Sequence, residues 1–277
     1  MSAAVDLVRS AMFHLLAGAP AGKARFTIID PVGLGQNFAG FMHLSDYDGA
    51  LVGDRIWTEE RHIDQRLLDV TEHMENVIQK YLRNRYETIA DYNEDAGEIA
   101  EPYRFVVVAN LPVNFSENAA RRLTSIASSG PRCGVFTLVA ADTERPVPQG
   151  FRLEDLAVNS AWADRGADAD RAWTWFDAAY DGLPLEVEPP PSDDLLNRVL
   201  HRIGSAARTG REKESEERGD AERWEAFAPE GDWMTFRGFQ RGCVAARIGL
   251  ELEHLRHSQA SLVAPKRERD RFRAFGE

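Results

Sequence analysis

Two unbroken apolar runs on either side of one amphipathic helix constrain this sequence more than anything else in it. Phe105-Val106-Val107-Val108 and Val135-Phe136-Thr137-Leu138-Val139 bracket a helix expected over about Glu117 to Ser128. A strand covered on one face alternates apolar and polar residues. An unbroken run belongs to a strand covered on both faces, as in a parallel sheet under helices. An earlier run, Arg25-Phe26-Thr27-Ile28-Ile29, stops on Asp30-Pro31, and the central one stops on Asn110-Leu111-Pro112. The expected class is therefore α/β, a mostly parallel sheet flanked by helices in three layers. Ligands of such sheets bind beyond the carboxyl ends of the strands. Those ends carry Asp30, Asn110 and Asp142, the candidate binding residues.

The elements around this centre follow from spacing. Ala3 to Ala17 places Val5, Val8, Met12, Leu15 and Leu16 on one face, a helix that docks on a sheet. Arg55 to Thr58 reads as a short edge strand. Glu59 to Arg85 reads as the longest helix, with Ile63, Leu67, Val70, Met74, Val77, Ile78 and Tyr81 as its stripe. His62 and His73 lie among charges and read as solvated. Two glycine-rich stretches, Pro31 to Gly35 and Gly18 to Lys23, imitate a phosphate loop. The first lacks the Lys-Ser/Thr pair. The second is one residue short and runs from helix to strand, whereas a phosphate cradle needs strand then helix. Both are expected to be turns.

Beyond Pro146 the character changes. Trp162, Trp173, Trp175, Phe176 and Tyr180 lie in an acidic, Ala-rich stretch leading to an expected edge strand, Pro184 to Glu188. Pro189-Pro190-Pro191-Ser192 reads as a stiff linker, and Ser192-Asp193-Asp194 as the start of a helix over Leu195 to Ala207. The expected division is 1–188 as the α/β domain, 189–235 as linker, helix and charged segment, and 236–277 as a basic tail.

Composition narrows the function. At 43% apolar and 28% charged the chain can build a sizeable core. No run nears the roughly 20 apolar residues of a membrane span, and the N-terminus is not a signal peptide, so the expected location is cytoplasmic. Cys133 and Cys243 stand far apart, which argues against a metal site or disulfide framework. A net charge of −12 argues against coating nucleic acid through bulk electrostatics. Residues 236–277 nonetheless carry +4, leaving −16 on the rest.

The segment Phe26 to Pro146 resembles the later part of the motor domain of the FtsK/SpoIIIE family, RecA-like ATPases that pump double-stranded DNA, and the related FtsK-type ATPases of type VII secretion. Ile28-Ile29-Asp30-Pro31 is similar to the family's strand ending in Ile-Asp-Pro. Met74-Glu75 followed by Tyr92-Asn93-Glu94 is similar to its long helix and closing Tyr-Asn-Glu. Phe105 to Leu111 lies where the family has its Walker B strand. Arg122-Leu123, Gly134 to Ala140 and Arg145-Pro146 resemble its R-L helix, next strand and closing Arg-Pro. About 120 residues are covered. The order and spacing of the blocks carry the likeness, not any single block.

The resemblance implies ATP with Mg²⁺ as cofactor, an oligomeric ring, double-stranded DNA as a possible partner and an active P-loop ATPase domain or subunit alongside. The departures imply a degenerate member. The Walker B carboxylates fall on Ala109 and Asn110, and the sensor position is nearest Asp142. The family's phosphate loop precedes its first helix, and Met1 lies in or just before the matching helix, so this chain is expected to lack that loop and to be one module of a longer motor. Its lost groups predict no hydrolysis by the chain alone. Arg121, Arg122 and Arg132 are the candidates for contact with a neighbouring subunit or its nucleotide. The alternative that the resemblance implies is a non-catalytic module that recruits proteins, like those of type VII secretion FtsK-type ATPases. A third reading is an intact small enzyme using Asp30, Asn110 and Asp142 with a metal.

Overall fold

A computed structural model describes residues 2–216 apart from 84, 98–99, 159, 165–172, 177–181, 186 and 188–189. The expectations for the charged segment beyond residue 216, for Tyr180, for Cys243 and for the tail 236–277 lie outside the described residues.

Helix α1 (Ser2–Gly18) leads into β1 (Ala24–Ile29), then a 3₁₀ helix (Gln36–Asp46) and the single turn α2 (Gly49–Val52). Helix α3 (Glu60–Val77) ends in a π-helical turn (Ile78–Leu82), shortening the helix expected to reach Arg85. After α4 (Ile89–Ala96) come β2 (Tyr103–Leu111), α5 (Glu117–Ser129) and β3 (Val135–Ala141). Helix α6 (Leu153–Ala157), β4 (Trp162–Asp164), β5 (Trp173–Phe176), β6 (Leu183–Leu185) and α7 (Asp193–Glu216) complete the described chain.

The sheet is parallel and ordered β1-β2-β3, as the unbroken apolar runs require. Ile28 lies beside Val107, and Val107 beside Leu138. All three side chains are fully buried. Phe26, Phe105 and Phe136 form a row across the strands, with ring centroids 5.2 and 5.6 Å apart. Such pairs add about 0.5–1.5 kcal/mol each beyond burial. Right-handed crossovers place α3 and α5 together over one face. Helix α1 packs on β2 and β3 and against α7.

Short polar devices start two of the helices. Thr88 caps α4 in a capping box with Asp91, satisfying two otherwise orphaned donors. Ser116 caps α5 through the Ala119 N–H while its hydroxyl donates to Asp64 at 2.8 Å. The segment expected as an edge strand at Arg55 to Thr58 is a single bridge, Ile29 to Trp57. The Trp57 N–H donates to Ile28 and the Asp30 N–H to Trp57, each at 2.9 Å.

Two elements beyond Pro146 have bounds other than those expected. The edge strand expected at Pro184 to Glu188 is found at Leu183–Leu185. It is β6, the edge of a separate antiparallel sheet β4-β5-β6 with its own small core of Ala161, Trp175 and Leu185. Proline at 184 suits such an edge. The helix after the proline stretch, expected over Leu195 to Ala207, is longer, running over Asp193–Glu216. Its Leu196, Leu200 and Ala207 belong to the main core with Phe38, Phe41 and Leu44 of the 3₁₀ helix. Gly204 lets Tyr47 lie flat against α7; a Cβ there would sit 2.3 Å from the ring. Tyr47 also hydrogen-bonds His201 and lies under Arg208.

His73, read from the sequence as solvated, is half-buried in α3. Burial first, then the positive fields of Arg104 and Arg25, push its imidazole down to about 4, against the opposing field of Glu101. Between the ordinary value of 6.5 and about 4, the unfolded chain takes up a proton that the folded chain refuses. Stability is therefore lost as pH falls through that window. The wild type is expected to lose on the order of 2 kcal/mol more than His73→Gln, allowing for partial solvation. Urea midpoints at neutral pH and about pH 4.5 check this. Parallel losses in the two proteins would disprove it.

Candidate functional site

The carboxyl ends of β1 and β2 meet at Asp30 and Asn110, 80 residues apart in sequence. The β2–β3 register shifts between Val108 and Leu111. Asn110 within that irregularity has φ 58°, a left-handed conformation that Asn tolerates better than most residues. A bulge of this kind re-aims a side chain. Here the Asn110 amide donates to Asp30 Oδ1 at 3.2 Å. Asn37, from the start of the 3₁₀ helix, donates to Oδ2 at 3.0 Å.

Asp30 has no exposed surface. Burial raises its carboxyl above the ordinary aspartate range. The amides of Asn37 and Asn110 and the backbone N–H groups of Asn37 and Val32 pull it back down. Its oxygens are thus occupied by donors from its own chain. Ala109, fully buried, offers no polar group, and Asn110 is an uncharged amide already donating.

Asp142 lies elsewhere in the bonding pattern. Its backbone N–H donates to the Leu111 carbonyl at 2.7 Å. Its carboxylate accepts from Arg145 Nε at 3.0 Å and from the Glu144 N–H at 3.2 Å. The structure thus joins Asp30 to Asn110 and ties Asp142 to its own turn. Arg121 is exposed and donates to Asn118 at 3.2 Å. Arg122 is half-buried and pairs with Asp64 at 3.7 Å. Arg132 is exposed, with Nε donating to the Glu87 carbonyl at 2.8 Å.

The sequence reading missed Asn37. Only its place four residues after Gly33 in a turn, followed by Phe38 and Phe41 at a spacing of three, hinted at an ordered helix. Beyond β1 a shallow groove of about 590 Å³ is lined by residues including Leu34, Met42, His43, Asp54 and Ile56. It includes none of the strand-end candidates.

Holding Mg²⁺ and a triphosphate needs free carboxylates and anion-binding amides. Asp30 is committed internally, Asn110 faces it, and Ala109 contributes nothing. Among the described residues no three His, Cys, Asp or Glu side chains converge to hold a metal ion. This donor set does not suit Mg²⁺–ATP, and no hydrolytic step is assigned to it.

The fold is similar to that of ATPase domains from type VII secretion. One neighbour is EssC (ATPases 2 and 3) from Geobacillus thermodenitrificans, with a TM-score of 0.56 and 16% identity over 73% of this chain. Another is the cytoplasmic domain of the Thermomonospora curvata type VII secretion ATPase EccC, with a TM-score of 0.50 and 17% identity over 73% of this chain. The matches span 42% and 26% of those chains, so this chain corresponds to less than half of either. No family model and no curated protein matches the sequence. No helix among the described residues is long and apolar enough to cross a membrane.

Proposed function

We propose that this chain is a non-hydrolysing module of an FtsK-type ATPase assembly, working beside an active P-loop ATPase domain or subunit in the cytoplasm. One observation carries the reading: the β2 end, where the family places its catalytic carboxylates, holds Ala109 and an Asn110 whose amide is turned onto Asp30. The sheet is kept while the groups that would grip and cleave a nucleotide are replaced by an internal hydrogen-bond lock. The secretion setting of both structural neighbours favours a machine that moves protein over one that pumps DNA, and the charge of −12 agrees. In that machine the module shapes the assembly or holds substrate protein for the active domain.

Two measurements test this. Purified chain is expected to release no phosphate from ATP above buffer, and turnover sensitive to Asn110→Ala would refute it. The chain is also expected to co-elute with a P-loop-bearing FtsK-type ATPase encoded in the same genome, and failure to do so counts against the partner assignment. Salt-sensitive binding of fluorescent duplex DNA would turn the reading back towards a DNA pump.

A further inference from the structure

At the opposite edge of the sheet lie two arginines that make no ion pair among the described residues. Arg25 of β1 and Arg104 of β2 are direct register partners on adjacent strands. Alternation places both on the face opposite the Phe26 and Phe105 rings. Both are half-buried, as is His73 of α3. Arg25 Nε, Arg104 Nε and His73 Nε2 are each buried without a hydrogen-bond partner. Arginines elsewhere, such as Arg66, Arg122 and Arg145, find carboxylates. Among the described residues these two form no such pair, although the chain has 45 acidic against 33 basic residues. Glu101 is the described carboxylate whose field reaches Arg104 and His73, and it also accepts from the Tyr81 hydroxyl at 3.2 Å. β3 supplies Val135 beside Arg104, so no charge comes from that side.

Unpaired like charges held side by side and partly desolvated are costly. A sequence rich in acids could have relieved this with one substitution. We infer that Arg25, Arg104 and His73 form a binding site for a phosphate group. Strands lie about 4.8 Å apart, so two guanidinium forks reach oxygens of the same anion. Arginine favours bidentate contact with phosphate. A phosphate dianion balances both charges, whereas a lone carboxylate balances one. His73, neutral at physiological pH, adds a ring nitrogen without adding charge. Along the six residues of β1 this site is separated from Asp30 by roughly 17 Å. It is therefore independent of the nucleotide edge and of the function proposed for that edge.

Isothermal titration of the full chain with inorganic phosphate at fixed ionic strength tests the site. Saturable binding at one site per chain is expected, weakened about tenfold or more by Arg25→Gln and by Arg104→Gln. Acetate should not compete. Titration with ADP separates the sources: competition with phosphate points to a nucleotide-borne group, and phosphate binding without ADP binding points to the free anion. Should Arg104→Gln not fold, Arg25→Gln carries the test, together with the His73 imidazole resonances of the wild type, which should shift on saturation. No saturable binding up to about 10 mM phosphate overturns the site. So does binding that both substitutions leave unchanged, or binding that leaves the His73 resonances unmoved.

Discussion

Asn110→Asp, the substitution that puts a family-like carboxylate back at the end of β2, is expected to destabilise the protein by about 3 kcal/mol at neutral pH and to restore no hydrolysis. The amide now donates to Asp30 Oδ1 at 3.2 Å, and Asp30 is wholly enclosed. A carboxylate there would set two negative charges against each other where burial already raises the Asp30 carboxyl. One of them must then stay protonated, as in carboxylate dyads. Holding an ordinary carboxyl protonated at pH 7 costs up to about 4 kcal/mol. The penalty should fade towards pH 4, where the proton is freely available, so the urea midpoints of variant and wild type should converge. A variant as stable as the wild type at pH 7, or one that turns over ATP, would show that Asp30 and Asn110 are not a lock.

Gly204→Ala is expected to cost about 2 kcal/mol, against the usual gain of nearly 1 kcal/mol for replacing a helical glycine. The new methyl would lie 2.3, 2.5 and 2.9 Å from three ring atoms of Tyr47. The ring must leave, taking with it the contact to His201 and the stack under Arg208. In a Tyr47→Ala background the obstacle is gone, and the same substitution should become neutral or stabilising. A thermodynamic cycle of the four proteins measures this change of sign. An equal effect in both backgrounds would mean that α7 is not seated as described.

The strands of the main sheet were legible because burial on both faces leaves an unmistakable trace. The run through Val107 is wholly apolar and that through Leu138 is broken only by Thr137, and Ile28, Val107 and Leu138 line up in the sheet. Strand β2 runs past its apolar run to Leu111 because Ala109 and Asn110 continue the ladder through a bulge, which periodicity does not signal. The 3₁₀ helix escaped notice because Phe38, Phe41 and Leu44 recur every three residues, off the α-helical period. His73 misled because it is half-buried on α3 within the fields of strand residues 31 and 48 positions distant, which its charged sequence neighbours do not signal. Of the candidate site, Asp30 and Asn110 could be placed at one edge. Their direct hydrogen bond depends on the bulge at Asn110, and the second donor, Asn37, on how the loop folds back; both are tertiary facts.

The uneven spacing of the strands along the chain sets an order of assembly. Arg104 meets Val135 across 31 residues, whereas Ala24 meets Tyr103 across 79. Chain closure disfavours the longer span by about 0.8 kcal/mol more, and a costlier loop forms later. The β2-α5-β3 unit should therefore be the nucleus, with β1 added afterwards. Stopped-flow kinetics would show this as slower refolding for Leu138→Ala and faster unfolding for Ile28→Val; the reverse pattern would place the nucleus at the amino-terminal strand.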